Sequence, residues 1–162
     1  MNLETLLQIL FLIVIANGSP ILAKRLFKDR ADFPLDFHLI LSDGQPLLGK
    51  SKTFRGILSS LLLTSVIAPL IGLPWNIGMA IAIFAMLGDA ISSFIKRRLL
   101  LPLSQSALGL DQIPESLLPL LFCLFTLKIS MLDVVVGTAA FFVIGLVLSY
   151  FLYQLGIRGN PR

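Results

Sequence analysis

The chain has 162 residues, of which 56% are hydrophobic and 14% charged, and its mean hydropathy is +0.92. This composition is too apolar for an ordinary soluble domain and is typical of a polytopic membrane protein. A single cysteine and a single histidine exclude a disulfide framework, a cysteine metal cluster and a multi-histidine zinc site, and the net charge of +4 indicates membrane topology rather than nucleic-acid binding.

Five hydrophobic segments predict an all-α integral membrane protein, a bundle of about five transmembrane helices. The segments cover residues 4–23, 56–73, 76–96, 113–128 and 131–155. No lysine or arginine precedes the first one, so we interpret it as a retained span rather than a secretory leader. Pro114 and Pro119 interrupt the fourth, which predicts a kinked or incompletely spanning helix. No stretch is long and polar enough for a second domain, so we expect residues 1–162 to form a single membrane domain.

The distribution of cations predicts the orientation. Twelve of the thirteen lysines and arginines fall in the loop 24–55, around the loop 97–112 or in the tail, and only Lys128 lies on the other side. The positive-inside rule makes both loops cytoplasmic, with the amino terminus outside and the carboxyl terminus in the cytoplasm. We therefore expect a multi-pass protein of the cell (inner or plasma) membrane whose active site faces the cytoplasm.

The end of the first span and the loop after it contain two polar motifs. Residues 17–20, Asn-Gly-Ser-Pro, predict a break in the first helix at the cytoplasmic edge, which serves either as a structural kink or as a polar contact with substrate. In the loop, the run from Leu48 to Gly56 places glycines beside Lys52, Thr53 and Arg55 at a helix start. Backbone N–H groups and cations in such a run can bind phosphate. The earlier half, Lys24 to Asp36, is equally well explained as a solvated surface.

Residues 44–51 also match the pattern G-x-x-x-x-G-K-[ST] of P-loop nucleotide-binding proteins. That motif binds nucleotides only between a buried strand and a helix of a parallel sheet. The rest of the chain cannot build such a sheet, so we do not predict a P-loop NTPase.

The third segment carries an aspartate, Asp89, in an apolar run that ends on three cations. An ionised carboxylate inside a membrane helix costs about 2.5–3.5 kcal/mol on insertion scales, and such residues are functional by default. At about 100° per residue, four polar side chains share its face and Arg98 points away; the four are Ser92, Ser93, Lys96 and Arg97. The alternative is a buried acid that is neutralised by Lys96 or a hydroxyl.

Asp111 precedes the fourth segment on the same side of the membrane as Asp89. It could cap the fourth helix, with Pro114 in the first turn. It could also supply a second acid for a metal, because two carboxylates and phosphate oxygens are what Mg²⁺ prefers. Both interpretations stay open at this point.

Several of these blocks, in this order, resemble CDP-archaeol synthase. They are Asn17-x-x-Pro20, Leu48-Gly49-x-x-Lys52-Thr53-Phe54-Arg55-Gly56, Gly88-Asp89-x-x-x-Ser93-Phe94-x-Lys96-Arg97-Arg98 and Leu110-Asp111-Gln112. The last two also look like the signature of CTP:phosphatidate cytidylyltransferases. The resemblance implies a magnesium-dependent transfer of CMP from CTP to a membrane lipid phosphate, either an archaeal-type ether lipid phosphate or phosphatidate. A homodimer is left open, and no nucleic-acid partner is expected.

The resemblance also implies residue roles. Asp89 and Asp111 would bind Mg²⁺, and Lys96 and Arg97 would act with them in catalysis. The substrate-binding residues would be Asn17, Lys52, Thr53, Arg55, Gly56, Ser92 and Ser93. The apolar connector after Arg98 departs from the family pattern, which leaves the lipid chains of the substrate open.

Rival functions are less well supported by the sequence. A small carrier or channel would spread charged residues through the membrane depth or show an internal repeat, and a CDP-alcohol phosphotransferase would need a run of spaced aspartates. Neither pattern is present. A purely structural membrane subunit would leave the clustering of polar residues on one face unexplained.

Overall fold

A computed structural model describes residues 2–28, 30–101, 107 and 109–154, without the side chains of residues 148, 149 and 151–153. These described residues form five helices: α1 (Leu3–Phe27), α2 (Phe54–Leu70), α3 (Trp75–Arg98), α4 (Gln112–Thr126) and α5 (Met131–Gln154). Within the described ranges there is no strand, and only two isolated bridges, Pro34 with Thr53 and Ile40 with Pro46, join extended backbone. The all-helical architecture confirms the predicted all-α fold class. The described residues form no sheet of the kind that a P-loop would need.

Over the described side chains, two of the helices, α1 and α3, are long and apolar enough to cross a membrane. Helices α2 and α4 have 17 and 15 residues. At 1.5 Å per residue they span roughly 25 and 22 Å, less than a hydrocarbon core of about 30 Å. The number of spans and their orientation therefore stay predictions.

Helix α3 lies at the centre of the bundle. It packs against α2 on one side and α4 on the other, while α1 contacts α2 and α3, and α5 rests mainly on α4. The largest fully buried side chains include Ile9, Leu12 and Ile13 of α1, Ile81 of α3 and Leu120 of α4. Burying each such side chain contributes about 1.5–3 kcal/mol in water, although lipid replaces water on the outer face here. The polar end of α3 is thereby held between two neighbouring helices.

The first helix is longer than predicted. We expected a break at Asn17–Pro20, but α1 continues through Pro20 to Phe27. Pro20 cannot donate to the Ala16 carbonyl, and the Ser19 hydroxyl lies 3.4 Å from that oxygen while it also donates to Ile15. Serine at such a position satisfies a carbonyl that proline leaves unpaired. The loop therefore runs from 28 to 53, not from 24 to 55.

Two further boundaries differ from the prediction. Arg97 and Arg98 belong to the last turn of α3 and Gln112 to α4, so the predicted loop 97–112 is reduced to residues 99–111. Helix α4 is not interrupted: Pro114 lies in its first turn, where a backbone N–H has no helical partner, and the helix continues through Pro119 to Thr126. The tail cations Arg158 and Arg162, the loop residue 29 and the connector 102–106 lie outside the described residues.

Candidate active site

The site forms where the end of α3 meets the start of α4 and the last residues of the 28–53 loop. Asp89 of α3 makes an ion pair with Lys52, whose side chain reaches it from the loop. The side chains are only 20% and 19% exposed, so both charges are largely withdrawn from water. The sequence analysis had named Lys96 or a hydroxyl as the group that would neutralise Asp89; the structure adds Lys52 of the loop as a cation that pairs with it.

A glycine brings α3 and α4 together at this point. A Cβ atom added to Gly88 would collide with the Pro114 carbonyl and lie 2.7 Å from the backbone nitrogen of Glu115. Real Cβ atoms do not approach backbone so closely, so only glycine permits this contact. The consequence is that Asp89, the next residue, is held against the first turn of α4.

A second ion pair lies beside the first. The Nζ atom of Lys96 is 2.7 Å from Oδ1 of Asp111, and the two side chains are 12% and 16% exposed. Asp111 occupies the N-cap position of α4 but makes no capping hydrogen bond to the helix. Its other oxygen, Oδ2, accepts from the backbone N–H of Ala107 at 3.1 Å. The capping interpretation therefore holds for the position of Asp111 and not for its side chain.

Sequence analysis missed a third acid. Glu115, in the first turn of α4, hydrogen-bonds to Asp89 and lies near Lys52 and Asp111. Its spacing of four residues from Asp111 at a helix start is the signal that could have identified it, because such residues share a helix face. Among the described side chains, no group of three or more acids, histidines or cysteines is arranged to hold a metal ion by itself. Two carboxylates can still bind Mg²⁺ when phosphate oxygens supply other ligands.

The remaining predicted residues of α3 lie on the same buried side of the helix. Ser92 and Ser93 are buried, and the Ser92 hydroxyl donates to the backbone carbonyl of Asp89 at 2.9 Å. Arg97 is buried at the end of the helix. Helical periodicity therefore predicted the clustering of these side chains correctly, although it did not predict which acid pairs with which cation.

The loop is organised by a residue that we had treated as solvated. Asp36 is 5% exposed, and its carboxylate accepts hydrogen bonds from the backbone N–H groups of His38, Leu48 and Gly49 at 3.1, 3.0 and 2.7 Å. The N–H groups of Leu48 and Gly49 are thus engaged within the loop. Our expectation that the glycine-rich backbone presents these groups to phosphate is not met in this structure.

Thr53 and Gly56 fix the start of α2. The Thr53 side chain caps the helix by accepting from the Gly56 N–H at 3.2 Å, as an N-cap threonine does. A Cβ atom on Gly56 would lie 3.2 Å from the Pro20 Cβ atom, so the glycine lets α2 pack tightly on α1. Both residues line a small cavity with Lys52, Asp89 and Pro20.

Two of the predicted substrate-binding residues, Asn17 and Arg55, make their described hydrogen bonds away from Asp89. Asn17 is half-buried on α1 and donates to the Ile13 carbonyl at 3.0 Å, within its own helix. Arg55 donates to the carbonyls of Lys28 and Arg30 at 2.7 and 2.6 Å and to Asp32 at 2.7 Å. In this structure the Arg55 guanidinium therefore holds the start of the loop instead of reaching the acid–cation cluster.

The loop is also attached to the end of α3. Arg98 donates to the Asp43 carboxylate and to the Pro46 carbonyl at 2.7 Å, and its guanidinium lies over the ring of Phe94. The loop is thereby attached to α2 near its start, through Arg55, and to α3 near its middle, through Arg98.

Comparisons with known proteins agree with this architecture. The sequence model of the CarS-like family, described as CDP-archaeol synthase, matches residues 3–161. The chain is 33% identical to the CDP-archaeol synthase of Sulfurisphaera tokodaii, covering 91% of this chain and 89% of that protein. It is 32% identical to that of Sulfolobus acidocaldarius, covering 91% of each.

A solved structure is also similar. It is described as an intramembrane enzyme for archaeal membrane lipids biosynthesis and has 29% sequence identity to this chain. The alignment covers 87% of this chain and 90% of that one, with a TM-score of 0.76. A similarity of this extent concerns the whole helical bundle and not only the polar site.

Proposed function

Because this chain belongs to the CarS-like CDP-archaeol synthase family and is a CTP-dependent cytidylyltransferase, we propose that its reaction takes place where Lys52 meets Asp89 and Asp111. The observation that carries this proposal is the presence of two largely buried ion pairs, Lys52 with Asp89 and Lys96 with Asp111. Buried charges at the end of an apolar helix are costly unless they serve a function. The lysines could bind the phosphate oxygens of a polyphosphate, and the aspartates could bind a metal ion.

The reaction transfers CMP to a lipid phosphate. An oxygen of the lipid phosphate attacks the α-phosphorus of CTP, the bond from that phosphorus to the bridging oxygen breaks, and pyrophosphate leaves with the electron pair. No protein nucleophile is needed, so positioning and charge neutralisation provide most of the rate. We assign Lys52, Lys96 and Arg97 to the phosphate oxygens, where they reduce repulsion between the two anionic substrates. Ser93 and the Thr53 hydroxyl would add hydrogen bonds, while Ser92 keeps its bond to the Asp89 carbonyl.

The donor set fits a magnesium ion. Asp89 and Asp111 are hard oxygen ligands, and the Glu115 carboxyl touches Asp89 in a way that a cation or a shared proton would stabilise. When bound, Mg²⁺ would neutralise charge on the triphosphate and on departing pyrophosphate. Asp89 and Asp111 would hold it.

The ion pairs also describe how the site could exchange partners. Lys52 and Lys96 neutralise the two aspartates in this structure. When phosphate oxygens enter, each lysine has a competing anion within reach of a small side-chain rotation. If Mg²⁺ took the place of the lysines beside Asp89 and Asp111, such an exchange would leave no buried charge without a partner and would avoid the penalty of about 3–5 kcal/mol for breaking a buried pair.

A groove on the outer face of α2 suits the hydrocarbon part of the substrate. Its lining is apolar apart from Arg55 and comprises Ala31, Phe33, Phe54, Arg55, Ile57, Leu58 and Leu61. Ile57 also lines the cavity that contains Lys52 and Asp89, so the two spaces share a wall. A lipid phosphate lying in this groove would place its chains on α2 and its charged end near the cations. These hydrocarbon chains would be either the ether-linked chains of an archaeal-type lipid phosphate or the acyl chains of phosphatidate.

The membrane environment follows the same reasoning. We infer that the site faces the cytoplasm, because CTP is cytoplasmic and the cations of the loop and of the α3 end share one side of the bundle. The amino terminus is then outside and the chain is multi-pass in the cell membrane.

The deciding experiment incubates purified protein with labelled CTP, Mg²⁺ and either archaetidic acid-type ether lipid phosphate or phosphatidate. We expect a CDP-lipid and an equal amount of pyrophosphate, both lost when EDTA removes the metal and restored by added Mg²⁺. Asp89→Asn should abolish turnover while the protein stays folded in detergent. Absence of product with every lipid phosphate, together with solute flux through protein-containing vesicles, would instead establish a carrier.

A further inference from the structure

We propose that Asp36 is a positioning residue for the reaction, because its carboxylate fixes the loop conformation from which Lys52 reaches Asp89. The inference rests on the proposed role of Lys52. It extends the site to a side chain that does not touch Asp89, Lys96 or Asp111 among the described contacts.

The first step is the set of hydrogen bonds that the Asp36 carboxylate accepts from the turn at Gly49. Oδ2 accepts from Leu48 and Gly49 at 3.0 and 2.7 Å, and Oδ1 accepts from His38 at 3.1 Å. Gly49 is itself in the left-handed region, with φ of 94°. One buried carboxylate therefore joins Asp36 to backbone that lies twelve and thirteen residues further along the chain.

The second step links this turn to Lys52. The Lys52 N–H donates to the Gly49 carbonyl at 3.2 Å, and the Lys52 carbonyl accepts from the N–H of Leu35, the neighbour of Asp36, at 2.8 Å. Two residues further on, the Phe54 N–H donates to the Phe33 carbonyl at 3.0 Å. Lys52 is thus held on both sides by the backbone around Asp36, so that its side chain is aimed at α3.

The third step explains why a carboxylate is needed. Three N–H groups point at Asp36, and a carboxylate has only acceptor atoms to offer them. An asparagine of the same shape would turn an NH₂ group toward at least one of these donors. That contact would be repulsive and would leave a buried N–H unsatisfied, which typically costs about 1–3 kcal/mol. The loop would then relax, and Lys52 would lose its fixed approach to Asp89.

The test compares Asp36→Asn with Asp43→Asn, a matched change in the same loop. Asp43 is 42% exposed and accepts from the Gln45 N–H through Oδ1, which an asparagine retains. We expect Asp36→Asn to lower kcat by roughly ten- to hundredfold, as misplacement of a charged group by about 1 Å does, with a smaller change in the KM for lipid phosphate. Asp43→Asn should stay within about threefold of the wild type, since exposed ion pairs contribute little and Arg98 keeps its bond to the Pro46 carbonyl of the loop.

A second readout does not depend on turnover. Labelling with an amine-reactive reagent, followed by mass spectrometry, compares Lys52 with the exposed Lys50 in the same protein. Asp36→Asn should raise the reactivity of Lys52 relative to Lys50 severalfold, and Asp43→Asn should leave the ratio unchanged. An unchanged ratio in a folded Asp36→Asn protein would overturn the inference. If Asp36→Asn does not fold, Asp36→Glu, which keeps both acceptor oxygens but displaces them by one methylene, takes its place.

Failure of the proposed function gives a different result. Wild-type protein would then form no CDP-lipid from any lipid phosphate, yet the Lys52-to-Lys50 labelling ratio would still decide whether Asp36 positions Lys52.

Discussion

Gly88 lies directly against the Pro114 carbonyl, with no room for a side chain between α3 and α4. This contact places the acid of one helix beside the acids of the next. We therefore expect Gly88→Ala to push the two helices apart, which lowers the free energy of unfolding by about 1–3 kcal/mol, as overpacking does. CDP-lipid formation by the folded protein should also fall, because Asp89 and Asp111 move relative to each other. Thermal unfolding in detergent and CDP-lipid formation measure the two effects.

Gly18 provides the control for this change. It is a helical glycine in α1 with no atom within 4 Å of an added Cβ. Gly18→Ala should be neutral or stabilise the protein by up to about 1 kcal/mol, the difference in helix propensity. Equal losses in both variants would mean that the α3–α4 contact has no special importance.

The sequence predicted the helices and the polar cluster for physical reasons that the structure makes clear. Apolar runs and helical periodicity depend on local sequence, so five helices and the shared face of Asp89, Ser93 and Arg97 could be predicted. The pairing of Asp89 with Lys52 could not, because it depends on how the loop folds back. The break predicted at Pro20 was wrong since Ser19 satisfies the carbonyl that proline leaves free. Asp36 was missed because its importance arises from tertiary contacts alone, whereas Glu115 carried a local signal in its four-residue spacing from Asp111.

Lys52 should be more important than its neighbour Lys50. Lys52→Met removes the cation that faces Asp89 and the incoming phosphates, so we expect kcat/KM to fall about 10²–10³-fold, the effect of removing one electrostatic contact to a transition state. Lys50 is exposed and two residues away. Lys50→Met should therefore stay within about threefold of the wild type. Steady-state kinetics with CTP as the varied substrate measures the difference, and similar losses in both variants would argue for a diffuse loop effect.

Arg55 tests whether a residue holds the loop or binds substrate. Its guanidinium donates to Asp32 and to two carbonyls of the loop. If this is its function, Arg55→Gln and Asp32→Asn should be non-additive in unfolding, with a coupling of about 0.5–1 kcal/mol. Both single variants should then raise the KM for CTP by similar small factors. A large rise in Arg55→Gln alone would show instead that Arg55 turns to the nucleotide in the bound state.

The stability of the loop should depend on pH through the Asp36 carboxylate. Burial raises the pKa of the Asp36 carboxyl, but hydrogen bonds from the Gly49, Leu48 and His38 N–H groups outweigh burial and leave this pKa below its ordinary value. A carboxylate with a depressed folded pKa stabilises the protein above its unfolded pKa of about 3.9, and this contribution is lost as pH falls through the folded value.

The measurement is the difference in unfolding midpoint between wild type and Asp36→Asn from pH 6 downward. We expect a constant difference above about pH 5 that shrinks on further acidification, since the protonated wild type loses what the variant already lacks. A difference that stays constant to pH 3 would show that the Asp36 carboxylate charge does not stabilise the loop.

The orientation in the membrane can be measured with single cysteines. Cys123 is buried, and Cys123→Ser gives a background without a native thiol. Lys50→Cys in the loop and Lys128→Cys between α4 and α5 then report on opposite ends of the bundle. In right-side-out vesicles, a membrane-impermeant maleimide should label Lys128→Cys at once and Lys50→Cys only after permeabilisation, because positively charged loops stay cytoplasmic. The reverse order would place the Lys52–Asp89 site outside the cell, where CTP is scarce, and labelling of both without permeabilisation would mean that α4 does not span.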